Sequence, residues 1–194
     1  QLIAGLRYTD YNDKSGYRTR EVSPTLGVIY KPDAQTSLYS SYVEGLEPGS
    51  RVDERYANAG EVLDATVSKQ AEIGIKRQLG ALDYSAAIFR IERANQMDIM
   101  RGGDLYLTQD GLVQYQGAEF STSYQFTNNL NMGLGFTYLD ATIEKVDEAS
   151  ANLEGNTPGN APKWQIVGNA DYSLPYIPGL SVRGEVRYFD ASYA

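Results

Sequence analysis

The chain has no cysteine and no histidine among its 194 residues. Without thiols there is neither a disulfide framework nor a thiolate metal site, so cysteine usage says nothing about redox compartment. Without imidazole the sequence lacks the Ser-His and Cys-His pairs of nucleophilic catalysis and the commonest metal ligand. Positive charge is scarce too: 17 Lys and Arg against 25 Asp and Glu leave a net −8. That balance argues against a nucleic-acid partner, because phosphate binding requires a basic surface. Long apolar runs are also missing and the mean hydropathy is −0.42, so no transmembrane helix is predicted. The membrane itself stays open as a location. A spanning strand needs only about 9–11 residues, of which every second one is apolar.

What is abundant is glycine (19), tyrosine (16) and alternation. In QYQGAEFSTSYQF (114–126), Ala118, Phe120, Thr122, Tyr124 and Phe126 fall on one side. Glu119, Ser121, Ser123 and Gln125 fall on the other. This period of two recurs from end to end, and a helical period is nowhere sustained. Counting such segments between turn signals predicts about nine strands: 2–11, 23–32, 37–46, 70–79, 83–97, 113–126, 130–143, 162–174 and 180–190. Many are longer than the roughly 5–6 residues usual in soluble sheets.

The connections between them are predicted to alternate. Segments 12–22, 47–69, 98–112 and 144–161 are long; 33–36, 80–82, 127–129 and 175–179 are short. In an up-and-down meander this places all short turns at one end, the asymmetry of outer-membrane barrels with short periplasmic turns and long extracellular loops. A soluble sandwich gives no reason for it.

Charge then chooses the face. Leu180, Val182, Gly184, Val186 and Tyr188 share one row, and Ser181, Arg183, Glu185 and Arg187 share the other. An arginine on the lipid face at mid-bilayer costs about 2–4 kcal/mol, so the charged row is expected to face a wet lumen. By the same logic Glu72 and Lys76 point inward, with Ile73 and Ile75 outward. Arg90 and Glu92 are likewise expected inward, with Ala87, Phe89 and Ile91 outward. Leu130, Met132, Leu134, Phe136 and Tyr138 are expected on lipid, opposite a row of small and polar residues that suits a wide barrel. Tyr30, Tyr84, Tyr124 and Tyr172 near the short turns, and Tyr8, Tyr42, Tyr138 and Tyr188 near the long loops, fit two interfacial girdles.

The ordered set AGLRYTDY (4–11), VSPTLGVIYKP (22–32), SLYSSYVEGLEPG (37–49), NAGEVLDATVSKQAEIGIK (58–76), AAIFRIERAN (86–95), GLVQYQGAEFS (111–121), GNTPGNAPKWQ (155–165) and PGLSVRGEVRY (178–188) resembles the barrel of TonB-dependent outer-membrane receptors, in the ferric-siderophore branch. The resemblance runs over essentially the whole chain. It implies an all-β, antiparallel up-and-down transmembrane barrel of about 22 strands holding an N-terminal plug, in the outer membrane of a Gram-negative bacterium. It further implies import of ferric siderophores driven by the TonB complex. No counterpart of the plug, of the TonB box or of the closing strands is found in residues 1–194. The expectation is therefore a partial barrel wall, with lipid, a ferric siderophore and, through the plug, TonB as partners.

The sequence singles out no catalytic, cofactor-binding or metal-binding residue, and no ligand contact. Arg55, Tyr56 and Tyr106 lie where a ligand would arrive, but nothing near them marks them. Asn58, Gly60 and Leu63 read as loop shapers, and Trp164 reads as an interface anchor. Glu119 and Arg90 read as lumen-wall charges. The acids Asp10, Asp13 and Glu21, and Asp147, Glu148 and Glu154, read as solvated loop charges rather than a hard-cation site. A siderophore coordinates its own iron, so no iron ligand is required of the protein. The competing readings are a passive porin, an outer-membrane enzyme completed by residues elsewhere, and a soluble all-β binding module. A wall of about nine strands alone would carry two unpaired edges, which hydrocarbon does not tolerate.

Overall fold

In the computed structural model, which describes residues 1–12, 14, 17–146 and 148–192, nine strands form one antiparallel sheet in strict sequence order. They are β1 (Leu2–Asn12), β2 (Arg18–Tyr30), β3 (Thr36–Glu47), β4 (Thr66–Leu79), β5 (Leu82–Arg101), β6 (Asp104–Thr127), β7 (Leu130–Lys145), β8 (Trp164–Ser173) and β9 (Ser181–Phe189). Each pairs only with its sequence neighbours, so β1 and β9 each keep one open edge and the sheet does not close. All nine expected strands are present. Asp13 and Asp147 lie outside the described residues.

Local chemistry sets the turns at the short end. The Asp33 carboxylate accepts from the backbone N–H of Gln35 and Thr36, both at 2.7 Å, an Asx turn that reverses β2 into β3. Thr127 Oγ1 accepts from the N–H of Asn129 and Leu130 at 3.1 and 3.0 Å and turns β6 into β7. Between β4 and β5, Gly80 takes φ +60°. Pro24 leaves its own mark on the sheet: β2 pairs with β3 only from Thr25 to Tyr30, and the ladder stops beside the residue that has no N–H to give.

Two expectations are corrected. Segment 98–112 is not a loop but the upper part of a long β5–β6 hairpin, closed by Gly102 and Gly103 at φ +62° and +95°. Two successive left-handed residues make the tight turn whose twist matches a hairpin, and glycine adopts them freely. The alternation was hidden because the register shifts between Asn95 and Met97, a bulge that breaks the phase. Segment 12–22 is also shorter as a connection, since β2 begins at Arg18.

The second correction concerns Arg90 and Glu92. Leu79 pairs with Leu82, Ile75 with Ala86 and Ile73 with Ile88. These pairs put Leu82, Tyr84, Ala86 and Ile88 on the same face as Phe120, Tyr124 and Leu134. Arg90 and Glu92 continue that outer row, and Ala87, Phe89 and Ile91 face the lumen. The charges are tolerated because they sit above the apolar band. At their level the outer face carries Glu44, Lys69, Gln116 and Asp140, paired with them in register or one strand away. The cost of an outward charge falls toward the interface.

Every other face assignment holds. All eight girdle tyrosines face outward. Tyr8, Tyr42, Tyr138 and Tyr188 lie toward the mouth ends of their strands, an upper row, and Tyr30, Tyr84, Tyr124 and Tyr172 toward the short-turn ends, a lower one. Between them lie Leu26, Val28, Ile73, Ile88, Phe120, Leu134, Ile166 and Val186, without a charge. Trp164 closes the upper row, its ring 4.5 Å from that of Tyr138 and 5.2 Å from that of Phe136, as an interface anchor would.

Candidate functional site: the lumen wall and its mouth

The opposite face is polar and uneven. Two large rings lie across it, each over a glycine directly opposite on the next strand: Tyr39 over Gly74, and Phe89 over Gly117. A Cβ at Gly74 would lie 2.6 Å from the Tyr39 ring, and one at Gly117 would lie 2.8 Å from Phe89 and 2.1 Å from the Tyr138 carbonyl oxygen. The glycines are the slots into which the rings fold. The Tyr39 hydroxyl donates to Glu72 at 2.5 Å, and the Lys76 ammonium stands 5.4 Å over the Tyr39 ring. Toward the short turns the wall flattens into an open trough of about 640 Å³ floored by Ser85, Ser121, Ser123, Gly133 and Gly135. On the far side Arg183 reaches Asp171 at 3.6 Å and Arg187 reaches Glu185 at 2.5 Å, so the β9 charges face inward as expected. Glu119 also faces the lumen.

At the mouth the loops are not loose. Segment 48–65 has its own small core of Val52, Tyr56 and Leu63, packed against Leu105 and Leu107 of the β5–β6 hairpin. Asn58 clamps the hairpin twice, donating from Nδ2 to the Leu107 carbonyl at 3.0 Å and accepting the Leu107 N–H at Oδ1, 3.2 Å. Ala57 N–H donates to the Leu105 carbonyl at 2.7 Å. The Tyr56 hydroxyl donates to Asp98 at 2.7 Å, and this acceptor holds its pKa above the usual tyrosine range. Asn58, Gly60 (φ +83°) and Leu63 are therefore loop shapers, as their sequence context suggests. Residues 154–156 fold back on β7, where Ile143 exchanges backbone hydrogen bonds with Gly155 and Asn156 at 2.9 Å.

The residues considered as ligand contacts separate. Tyr56 is buried in the loop core with Arg55 against it, whereas Tyr106 is half-exposed on the hairpin. Asp10 is tied to Arg18 and Arg20 on the outer face, while Glu21 points to the lumen, so those acids do not converge. Among the described residues no three acidic side chains gather around a common point. Sequence reasoning missed a polar recess of about 360 Å³ under the mouth, lined by Glu47, Arg93, Gln96, Gln109 and Tyr115. Its signal was the bulge near Asn95, which alternation alone does not reveal.

Comparison with known proteins follows the same wall. A sequence model described as "TonB dependent receptor-like, beta-barrel" matches residues 1–194. The ferrichrome receptor FcuA of Yersinia enterocolitica is 27% identical over 94% of this chain and 24% of its own length. The ferrichrome outer membrane transporter/phage receptor of Escherichia coli is 26% identical over 86% of this chain and 22% of its own. The solved BauA structure, the ferric preacinetobactin receptor of Acinetobacter baumannii, superposes with a TM-score of 0.74 at 24% identity, covering 97% of this chain and 29% of that one. The chain thus spans about a quarter of the length of the curated relatives it matches. With a model match over its whole length and the barrel-wall fold described above, the chain belongs to the TonB-dependent receptor β-barrel family of the Gram-negative outer membrane.

Proposed function

We propose that this chain is part of the wall of a larger plugged barrel that takes up ferric siderophores with energy supplied through TonB. The observation that carries the reading is a polar, charge-bearing lumen face beneath structured mouth loops, on a wall whose curated relatives include receptors named for ferrichrome. The protein's part is noncovalent recognition and passage; no bond-making chemistry is asked of it. A plug domain occupies the lumen against Tyr39, Phe89 and the serine-floored trough. The outer band sits in lipid with its tyrosines at both headgroup levels.

The test is growth of a strain deleted for the full-length gene under iron limitation, supplied with a panel of ferric siderophores and complemented in cells with and without TonB. The reading expects rescue by at least one siderophore, and only when TonB is present. Rescue independent of TonB would replace it with a passive porin; absence of rescue by any siderophore would remove iron uptake from the account.

A further inference from the structure

Glycine is placed differently in the last two strands. Gly168 of β8 and Gly184 of β9 point outward, whereas every other glycine within β1–β9 falls in a lumen-facing row of the register. The two stand diagonally across one ladder, Gly168 opposite Val186 and Gly184 opposite Ala170. A glycine inside a strand weakens it and often marks a bulge or a close approach by a ligand or another backbone. No bulge accounts for these two, because the registers run unbroken past both. Nor are they slots for a neighbouring ring, as Gly74 and Gly117 are: an added Cβ at either would meet nothing within 4 Å.

With Ala170 they floor an open groove of about 800 Å³ on the outer face. Met132, Leu134 and Val186 wall it, together with Tyr124 and Phe126, whose rings meet edge to face at 4.6 Å. Asn169 and Glu185 border the floor but turn their side chains to the lumen, which leaves the groove apolar. Gly168 stands midway along β8 between Trp164 and Tyr172, and the Tyr124–Phe126 pair stands at the short-turn end of β6. The groove therefore occupies the half of the apolar band on the short-turn side.

Its position and width decide its occupant. It is continuous with the band that meets lipid, and a floor of two strands is only roughly 10 Å across. A specific protein interface needs about 800 Å² on each partner, more than so narrow a trough presents, whereas a hydrocarbon tail needs no more. Lipid tails are as apolar as the wall, so no hydrophobic gain drives the seating. Dispersion does: a gap over the two glycines forfeits contacts, and a tail laid into it restores them. We infer that this groove seats one acyl chain of a phospholipid from the leaflet on the periplasmic, short-turn side. Tails of a glycolipid in the opposite leaflet fill the upper half of the band and do not reach it. The inference depends on the lipid face and not on the uptake reading.

The experiment is native mass spectrometry of the intact receptor released from detergent, with retained lipid identified by its mass after dissociation. Gly168→Val, Gly184→Val and Ala170→Ile fill the groove, and Ala4→Val adds bulk to the outer face of β1, away from it. Valine and isoleucine are good strand residues, and heat-modifiable gel mobility verifies that each variant is assembled. Three groove variants are used so that the loss of one to misassembly leaves two that report. The parent carries one phospholipid through a delipidating wash. Each groove variant retains roughly fivefold less of it, and Ala4→Val retains as much as the parent. A parent that carries no phospholipid overturns the inference, as do groove variants that retain it fully. So does equal loss in Ala4→Val, or a glycolipid or a second receptor copy found in the phospholipid's place.

Discussion

Gly117 carries a constraint that its neighbours do not. An added methyl there meets the Tyr138 carbonyl oxygen at 2.1 Å and the Phe89 ring at 2.8 Å, whereas at Gly135, on the same face, the nearest atoms stand 3.9 Å away. Gly117→Ala is expected to lower the stability of the folded barrel by about 1–3 kcal/mol, as overpacking does, while Gly135→Ala costs much less. Urea titration of the two refolded proteins measures the difference. The Phe89–Gly117 pair also shows what one strand's pattern cannot tell. Ala86, Ala87, Ile88 and Phe89 are all apolar, so only Arg90 and Glu92 were left to fix the phase, and they fixed it wrongly. The rule that charge points inward holds at mid-bilayer depth, and these two residues stand above it. Had Phe89 been matched with the glycine opposite, the phase would have come out right. That pairing is a property of two strands in register, not of one.

At the scale of the element, the turns and the hairpin behave as units. The Asp33 carboxylate is held below its ordinary pKa of 3.8, first by the Gln35 N–H and then by the hydroxyl and N–H of Thr36, with the Arg77 charge adding to them. A lowered folded pKa contributes stability that is complete above the unfolded value and lost as pH falls through the folded one. The turn is therefore indifferent to pH near neutrality and weakens only on the acid side of 3.8. Asp33→Asn should lower the unfolding midpoint at pH 7, with the gap to the parent closing as pH drops toward 3; melts across that range check it.

At the mouth, segment 48–65 and the β5–β6 hairpin share a core, so loosening one should loosen both. Asn58→Ala removes both clamps on Leu107 and is expected to speed hydrogen exchange at residues 52–63 and 105–108 together, leaving the trough unchanged. Exchange confined to one segment would contradict a shared unit. Alkaline pH tests the same contact. The Tyr56 pKa lies above its ordinary 10.0 because of Asp98, so the contact holds below pH 10 and is lost as pH rises through the raised value. None of this coupling was legible in the sequence. Segment 98–112 carries a bulge and a Gly-Gly turn that interrupt its alternation, and the Asn58–Leu107 contact joins residues far apart in the chain.

For the whole molecule, the sheet's order and its outer face were readable because each rests on repetition. Nine alternating segments, short turns at one end and tyrosines near strand ends all point to one arrangement, and errors in any single strand are outvoted. The polar recess under the mouth was not readable, since it depends on one bulge and on side chains brought together from β3, β5 and β6. The open edges of β1 and β9 carry a prediction of their own. Unpaired backbone groups are not tolerated in hydrocarbon, so residues 1–194 expressed alone should aggregate or associate through those edges. A compact, heat-modifiable monomer on gels would contradict this.

The central claim is that one face of this sheet meets lipid and the other meets a wet lumen. This chain has no cysteine of its own; with any cysteine elsewhere in the intact receptor replaced, a nitroxide can be placed at single introduced cysteines from 84 to 92 and the receptor reconstituted in bilayers. The measurement is collision of each label with oxygen, which concentrates in lipid, and with a water-soluble nickel chelate. The account predicts high oxygen and low nickel collision at Tyr84, Ala86 and Ile88. It predicts the reverse for Ser85 and Ala87, and rising nickel collision at Arg90 and Glu92 where the outer face leaves the hydrocarbon. Equal accessibility of alternate positions, or oxygen maxima at Ala87 and Phe89, would contradict it.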